Sequence, residues 1–374
     1  MIEADAVVIG GGLHGCSAAL HLAMRGRRAL VIEKNTVGRH ASGVNGGAVR
    51  RLWRNPAEIP LACASQELWH GIRGLVDDDC GFRVSGILKL AENAQDMAIL
   101  EERARLVRDL GFDHEEMIGP DEARRLVPTT PNVAGGLIAR RDGFADPPRT
   151  ARAFKVKAES LCVVFREQCR VVGIEQRAGA WRVITDGGHF EAPLVVNCAG
   201  AWSDGVAAWL GEPVPLEAVG LMMFVTARVA RFIEPVVGFA SRVLSVKQTE
   251  EGTVLVGGGM RTPADRDSGT APVTFAPVAA KGRMLTELFP HLRSVPVMRC
   301  WSGIEGFTPD GLPVIGPSRV AAGVFHAFGF SASGFQLSPG VGAAVADLIT
   351  EGSTNVSIAP FDIGRFAQAA GVTG

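Results

Sequence analysis

Apolar and polar positions in the first 34 residues follow two different rhythms. Residues 5–9 (DAVVI) form a short apolar run, CSAALHLAMRG carries helical spacing and stops at Gly26, and RRALVIEK returns to a short apolar run ending at Glu33. Strand, helix and strand in that order predict a βαβ unit. Further on, 56–78 reads as helix and 84–91 as strand. Residues 92–111 read as an amphipathic helix with Met97, Leu100, Ala104, Val107 and Leu110 on one side and Gly111 as its stop. A helix is expected over 149–160, and PLVVNCAGAW is a buried strand entering a glycine turn. From 214 to 298 the pattern is mostly strand-like, with a helix near 279–289. At Ser338-Pro339 an N-cap followed by an N1 proline predicts the start of a final helix through GAAVADLI.

Between the βαβ unit and the helix at 56 lies VGRHASGVNGGAVRR, too rich in Gly, Ser and Arg for a core strand. Its glycines imply that something lies close against the backbone, with arginines at the edge. Composition narrows what that is. The chain has 374 residues and a net charge of −1, enough for two sub-domains and without a basic field for nucleic acid or an anionic membrane. No apolar run approaches a bilayer span. The seven cysteines are scattered without a CxxC pair, which predicts reduced thiols, a cytoplasmic location and no metal or iron–sulfur site in this chain.

Gly10-x-Gly12-x-x-Gly15 follows the first strand and opens the first helix, and Glu33 ends the second strand 18 residues later. In this pattern the first glycine permits the tight turn and the second admits a pyrophosphate. The third lets helix and strand pack, and the acid meets a ribose. A nicotinamide domain would continue with regular βαβ units. Here the second strand runs into the glycine loop instead, which favours FAD with its flavin bedded on that loop.

These pieces, with DGFADP, VVNCAGAWS, WSGIEGFTPDGLPVIG and GFSASGFQLSPGVG in the same order, resemble the D-amino-acid oxidase and glycine oxidase superfamily of FAD enzymes along essentially the whole chain. GRHASGVNGG, GIEGFTPDGLPVIGPS and GFQLSP look closest to FAD subunits of multicomponent imino-acid and opine dehydrogenases, such as D-hydroxyproline dehydrogenase. The resemblance implies an α/β (α+β), p-hydroxybenzoate-hydroxylase-like architecture: a Rossmann-type FAD domain (1–80, 145–213, 300–374) interleaved with a β-sheet-rich substrate domain (81–144, 214–299). It implies hydride transfer from a C–N bond to flavin N5, with electrons passed to a second flavoprotein subunit, with or without a small iron–sulfur subunit. A stand-alone oxidase using oxygen and a non-catalytic FAD scaffold are the alternatives.

The resemblance also places residues. Leu13 and His14 join Gly10, Gly12 and Gly15 at the turn, with Glu33 and Lys34 after the second strand. His40, Ala41, Ser42, Asn45, Gly46 and Gly47 line the flavin loop, where Ser42 or Asn45 is expected on the flavin edge. Val171, Ala199, Gly200, Trp202 and Gly303 follow, and Ser331, Gly334, Phe335 and Gln336 come from the last loop. His40-Ala41-Ser42-Gly43 resembles the HAxG of enzymes with a histidyl flavin. The spacing around it differs, so non-covalent FAD is the reading. Arg50, then Arg54, are the candidates for a substrate carboxylate, against a surface or pyrophosphate role. Ser333, Gln336 and Glu305 complete the catalytic candidates. Glycine oxidases have an arginine where Glu305 stands and sarcosine oxidases a lysine at Gln336, and this chain has no tyrosine. A pocket-facing Glu305 needs a cationic partner, which a secondary ammonium or an opine's guanidinium supplies; the alternative is a turn glutamate bonded to Arg299. Cys300 is read as packing, and Lys247 and His326 as polar candidates without a role.

Overall fold

The computed structural model describes residues 3–367. The four-residue strand Ala6–Ile9 is fully buried, as a parallel strand covered on both faces should be. It pairs in parallel with Ala29–Ile32 on one side and Leu194–Asn197 on the other. Val164–Arg166 extends the sheet beyond Ala29–Ile32, and Val324–Phe328 beyond Leu194–Asn197, both parallel. Antiparallel Val314–Pro317 closes the six-stranded edge. Helix Leu13–Met24 packs against Gly334–Glu351 and Pro147–Ser160.

The second layer is a nine-stranded sheet. Its spine is Glu217–Arg228, which pairs antiparallel along most of its length with Val297–Phe307. On its other side Thr253–Gly257 leads through Ser245–Gln248 and Val236–Phe239 to Ile87–Ala91 and Gly135–Ala139. Residue 300, drawn above as a boundary, falls inside Val297–Phe307. Cys300 lies opposite Phe224 in that pairing, against the sheet's own apolar cluster.

Element ends depart from the sequence pattern where local chemistry intervenes. The helix expected over 92–111 runs Ala94–Asp109, begun by Asn93, whose side chain accepts from the Asp96 amide. Leu110 falls past its end and is 45% exposed instead of buried. The 56–78 stretch divides into a short 3-10 turn, Ile59–His70 and Ile72–Val76, broken at Gly71.

The last helix is the instructive correction. It starts at Gly334, with Pro339 inside it. A proline there removes one N–H and leaves the Phe335 carbonyl without its helical donor. The Ser338 hydroxyl donates to that carbonyl at 2.8 Å. The next carbonyl, of Gln336, accepts from Ser65 Oγ (2.6 Å) and Trp69 Nε1 (2.8 Å), while the Gly340 amide donates to Ser65 Oγ (3.2 Å). Helix Ile59–His70 thus supplies the partners that Pro339 disrupts. Among the described residues no helix is long and apolar enough to cross a membrane.

Candidate active site

Between the sheets lies a cavity of ≈ 930 Å³ whose lining draws on both. Every residue expected at the cofactor or the chemistry borders it except Gly15 and Gln336. Gly15 has a packing role. A Cβ there would meet the Gly10 carbonyl oxygen at 1.9 Å, so strand and helix close on each other only without a side chain. Gly10 itself adopts φ 107°, a conformation glycine tolerates. The helix that follows has Gly12 as its N-cap and no capping side chain from that residue, leaving amides to meet an anion.

Glu33 accepts from the Gly11 amide (2.7 Å, Oε2) and the Asn35 amide (2.8 Å, Oε1). Burial pushes its carboxyl up, while those two amides oppose the shift. Lys34 lies with its Nζ 2.9 Å from the centroid of the Trp202 ring, and burial lowers its amine to about 8. His40 tilts against the same tryptophan, centroids 4.8 Å apart, and its Nε2 is 3.0 Å from Asn35 Nδ2. His40 therefore belongs to the Glu33–Lys34 end of the cavity, and burial holds its ring neutral, at about 4. Val171, Ala199 and Gly200 complete this wall.

The glycine loop is built for itself as much as for a ligand. Ser42 Oγ accepts from the Leu13 amide at 2.8 Å, capping the first helix, and the residue lines the cavity. Asn45 donates through Nδ2 to the Ala41 and Ser42 carbonyls and accepts from the Gly47 amide, so its side chain is also engaged within the loop. Gly47 has φ 69°, and a Cβ there would sit 2.1 Å from the Ala145 oxygen. Lys247, from the large sheet, donates Nζ to the Gly46 carbonyl at 2.7 Å, and Trp301 Nε1 donates to Val44 at 2.8 Å. Lys247 is thereby a clamp on the loop, its amine lowered to about 8 by burial. Gly303 lies against Val44, and Ala41 opens the short turn Ala41–Val44.

The three arginines at the loop's edge separate. Arg51 Nε meets Asp142 at 3.3 Å, and the Arg51 and Leu52 amides bind the same carboxylate. Arg54 is 2% exposed; it donates to the Arg50 carbonyl, the Ser333 carbonyl and Gln336 Oε1, with Glu58 at 3.7 Å. Arg50 lines the cavity and, among the described residues, meets no carboxylate: Nη1 donates to the Leu52 and Trp53 carbonyls. Gln336 is corrected here. It is fully buried behind the cavity, its Nε2 donating to the Ala62 carbonyl and Gln66 Oε1, so it positions Arg54 and does not reach a ligand.

Opposite the loop, Glu305 sits on Val297–Phe307 and lines the cavity. Its Oε2 is buried without a partner, and its one stabilising contact is the Ala332 amide. Burial pushes the carboxyl up to about 7. Arg299 lies over Trp301 instead of meeting it. The Ala332 amide is delivered by a left-handed pair, Ser331 (φ 48°) and Ala332 (φ 66°). Such backbone costs about 1 kcal/mol or more per non-glycine residue and clusters at functional sites. Ser333 follows as N-cap of the last helix without a side-chain cap bond, and Phe335 tilts against Trp69. His14 stacks on Phe330, centroids 3.6 Å apart, beside Gly334. Its Nδ1 is buried without a partner, and burial holds the ring neutral, at about 3. His326 faces away, its Nε2 3.3 Å from Glu212 in the sheet interior. Sequence reasoning missed Trp53 and Lys89, both on the cavity wall. The lone lysine inside ILKLA was the available signal.

A helix start whose N-cap is a glycine in a glycine turn, a buried acid at the end of the second strand, and a cavity-facing carboxylate fit a dinucleotide with a redox ring. The comparisons agree. The chain is 28% identical over 378 residues to sarcosine oxidase subunit beta of Rhizobium meliloti (strain 1021), covering 97% of this chain and 88% of the relative. It is equally identical to glycine oxidase of Geobacillus kaustophilus (strain HTA426), covering 98% of both. The solved structure of L-proline dehydrogenase from P. horikoshii superposes with a TM-score of 0.91 at 28% identity, covering 98% of each chain. Residues 5–348 match the family model described as DAO, FAD dependent oxidoreductase, and the chain belongs to that family of FAD-dependent enzymes.

Proposed function

We propose that this enzyme oxidises the C–N bond of a secondary amino acid, an imino acid or an opine, and hands the electrons to a partner subunit. The observation that carries the reading is Glu305, a cavity-facing carboxylate with no cation of its own among the described residues. A buried carboxylate of this kind is stabilised when a cation enters beside it, and a protonated amine is such a cation. With its carboxyl near 7, Glu305 can accept the ammonium proton at neutral pH, the step that frees the nitrogen lone pair. Arg50 answers the substrate's carboxylate through the part of its guanidinium not held by Leu52 and Trp53. The FAD, held by the Gly10–Leu13 turn, Glu33 and the glycine loop, supplies the acceptor for the hydride. Proton and hydride removal leave an iminium, which water converts to a carbonyl compound and an amine.

Support for the substrate class comes from relatives named for sarcosine, glycine and proline, and support for a multi-subunit enzyme from a relative named as a subunit. Anaerobic titration of the oxidised flavin with D- and L-proline, both hydroxyproline series, octopine, nopaline, sarcosine, glycine and a 2-hydroxy acid tests the proposal. Bleaching by a secondary amine is the expected result, with slow recovery when air is admitted. Rapid recovery with peroxide would make it a stand-alone oxidase. If dithionite alone bleaches the band, the C–N assignment fails.

A further inference from the structure

Around the arginine loop, most buried cations have carboxylates: Arg51 has Asp142, Arg54 has Glu58, and Arg103 has Glu115. Lys247 holds the Gly46 carbonyl and Lys34 the Trp202 ring, and two further cavity-lining cations that sit beside each other also lack a carboxylate. Arg50 holds only the Leu52 and Trp53 carbonyls, and Lys89 only the Phe239 carbonyl, at 3.0 Å. They bracket one residue. Lys89 Nζ lies 4.6 Å from the Trp53 ring centroid, while Arg50 grips the Trp53 carbonyl. Trp53 is fixed between them at φ 61°, its amide donating to Glu115 Oε1 at 2.7 Å and Arg103 lying 5.6 Å from its ring. The two cations repel each other across the tryptophan, and burial with that repulsion lowers the Lys89 amine to about 8. Lys89 has donors left over, and among the described residues none accepts from them.

Unpaired cations beside one another on a desolvated wall are costly unless a ligand brings the anions. A single carboxylate on Arg50 leaves Lys89 uncompensated. We infer that Lys89 and Trp53 form a second anion subsite beside Arg50, and that the substrate is a dicarboxylate: a secondary amine bearing a carboxylate on each side of its nitrogen. The inference rests on the reading of the cavity as an amino-acid site and narrows it. Lys89 springs from Ile87–Ala91 in the large sheet, away from the dinucleotide turn in the other layer, which assigns it to substrate and not to cofactor phosphates.

The test uses the holoenzyme and two thioethers that cannot be dehydrogenated at nitrogen, thiodiglycolate and (methylthio)acetate, which differ by one carboxylate. Binding is read by perturbation of the visible flavin band and by calorimetry. The wild type should bind thiodiglycolate about tenfold or more tightly than (methylthio)acetate, the effect of one charge-assisted contact. Lys89→Met should abolish that preference and leave (methylthio)acetate affinity unchanged, which also reports an intact site; Lys89→Arg should keep part of it. Equal weakening of both ligands would mean that Lys89 and Arg50 share one carboxylate, and no change in either would remove Lys89 from recognition. Either result overturns the inference. Since neither ligand is oxidised, these outcomes stand apart from failure of every amine to bleach the flavin.

Discussion

Replacing Glu305 by glutamine keeps shape and removes charge, and the structure sets the size of the effect. The carboxyl is pushed from 4.5 to about 7, chiefly by desolvation, with the Ala332 amide opposing. At about 1.4 kcal/mol per unit, that shift amounts to about 3 kcal/mol between the two protonation states. The sign follows from linkage. The folded-state value lies above the unfolded one, so the contribution is complete below about pH 4.5 and is lost as pH rises through about 7. Glutamine carries no such dependence. With an unfolding entropy of about 2.1 cal/mol/K per residue, about 3 kcal/mol in a chain of 374 residues is about 4 °C in Tm. Melting of the holoenzyme, followed by the rise of flavin fluorescence, should therefore show Glu305→Gln more stable than wild type by up to about 4 °C near pH 8.5 and level with it near pH 5. Titrations common to both proteins cancel in the comparison. The same variant should lose about 100-fold or more in amine-driven flavin reduction, and the wild-type rate should climb with pH through about 7. A glutamine variant less stable than wild type at high pH would refute the reasoning, because it would show a counter-cation on Glu305.

Gly15→Ala should purify without bound flavin, since the new Cβ would overlap the Gly10 carbonyl; a normal visible spectrum would contradict the packing argument. Arg54→Met removes donors to Arg50, Ser333 and Gln336 and leaves Glu58 alone in the interior, so thermal or urea unfolding should register a loss of about 3–5 kcal/mol. Ser65→Ala deprives the Gln336 carbonyl and the Gly340 amide of the same hydroxyl, a loss of about 1–3 kcal/mol measurable by the same assays. An unchanged midpoint would show that the proline-disrupted turn is satisfied by other means.

The dinucleotide end was legible because its constraints are local. Gly10, Gly12, Gly15 and Glu33 sit at spacings fixed by one turn and one helix, and hydrophobic periodicity marks both strands around them. Glu305 was legible as a departure from the glycine-oxidase motif, which has an arginine there, while its orientation toward the cavity was left open by the sequence. What could not be read depends on partners distant in sequence. Ser42 and Asn45 have the right chemistry for a flavin edge, yet Leu13 and Gly47 engage their side chains. Gln336 is drawn inward by Ala62, Gln66 and Arg54, residues some 270 positions away. Pro339 carries the ordinary signature of a helix start, and only helix Ile59–His70 makes it a tolerable interior residue. Lys89 reads as the one polar position in an apolar strand until Trp53 and Arg50 are placed beside it.

That splice between Ser65, Trp69 and the proline-broken turn has a practical consequence for anyone recombining this enzyme with its relatives. The segment carrying Arg50 and Arg54 leads directly into helix Ile59–His70, and that helix is bolted to the start of the last one by hydrogen bonds to Gln336 and Gly340. Arg54 fastens the same two regions from the other side, through Ser333 and Gln336. Residues 50–69 and 333–340 are therefore one inheritable module split by the intervening segment 70–332. A chimera exchanging either half alone should mis-set the floor of the active site, whereas one exchanging both should keep that floor intact, with Lys89 and Glu305 still supplied by the recipient.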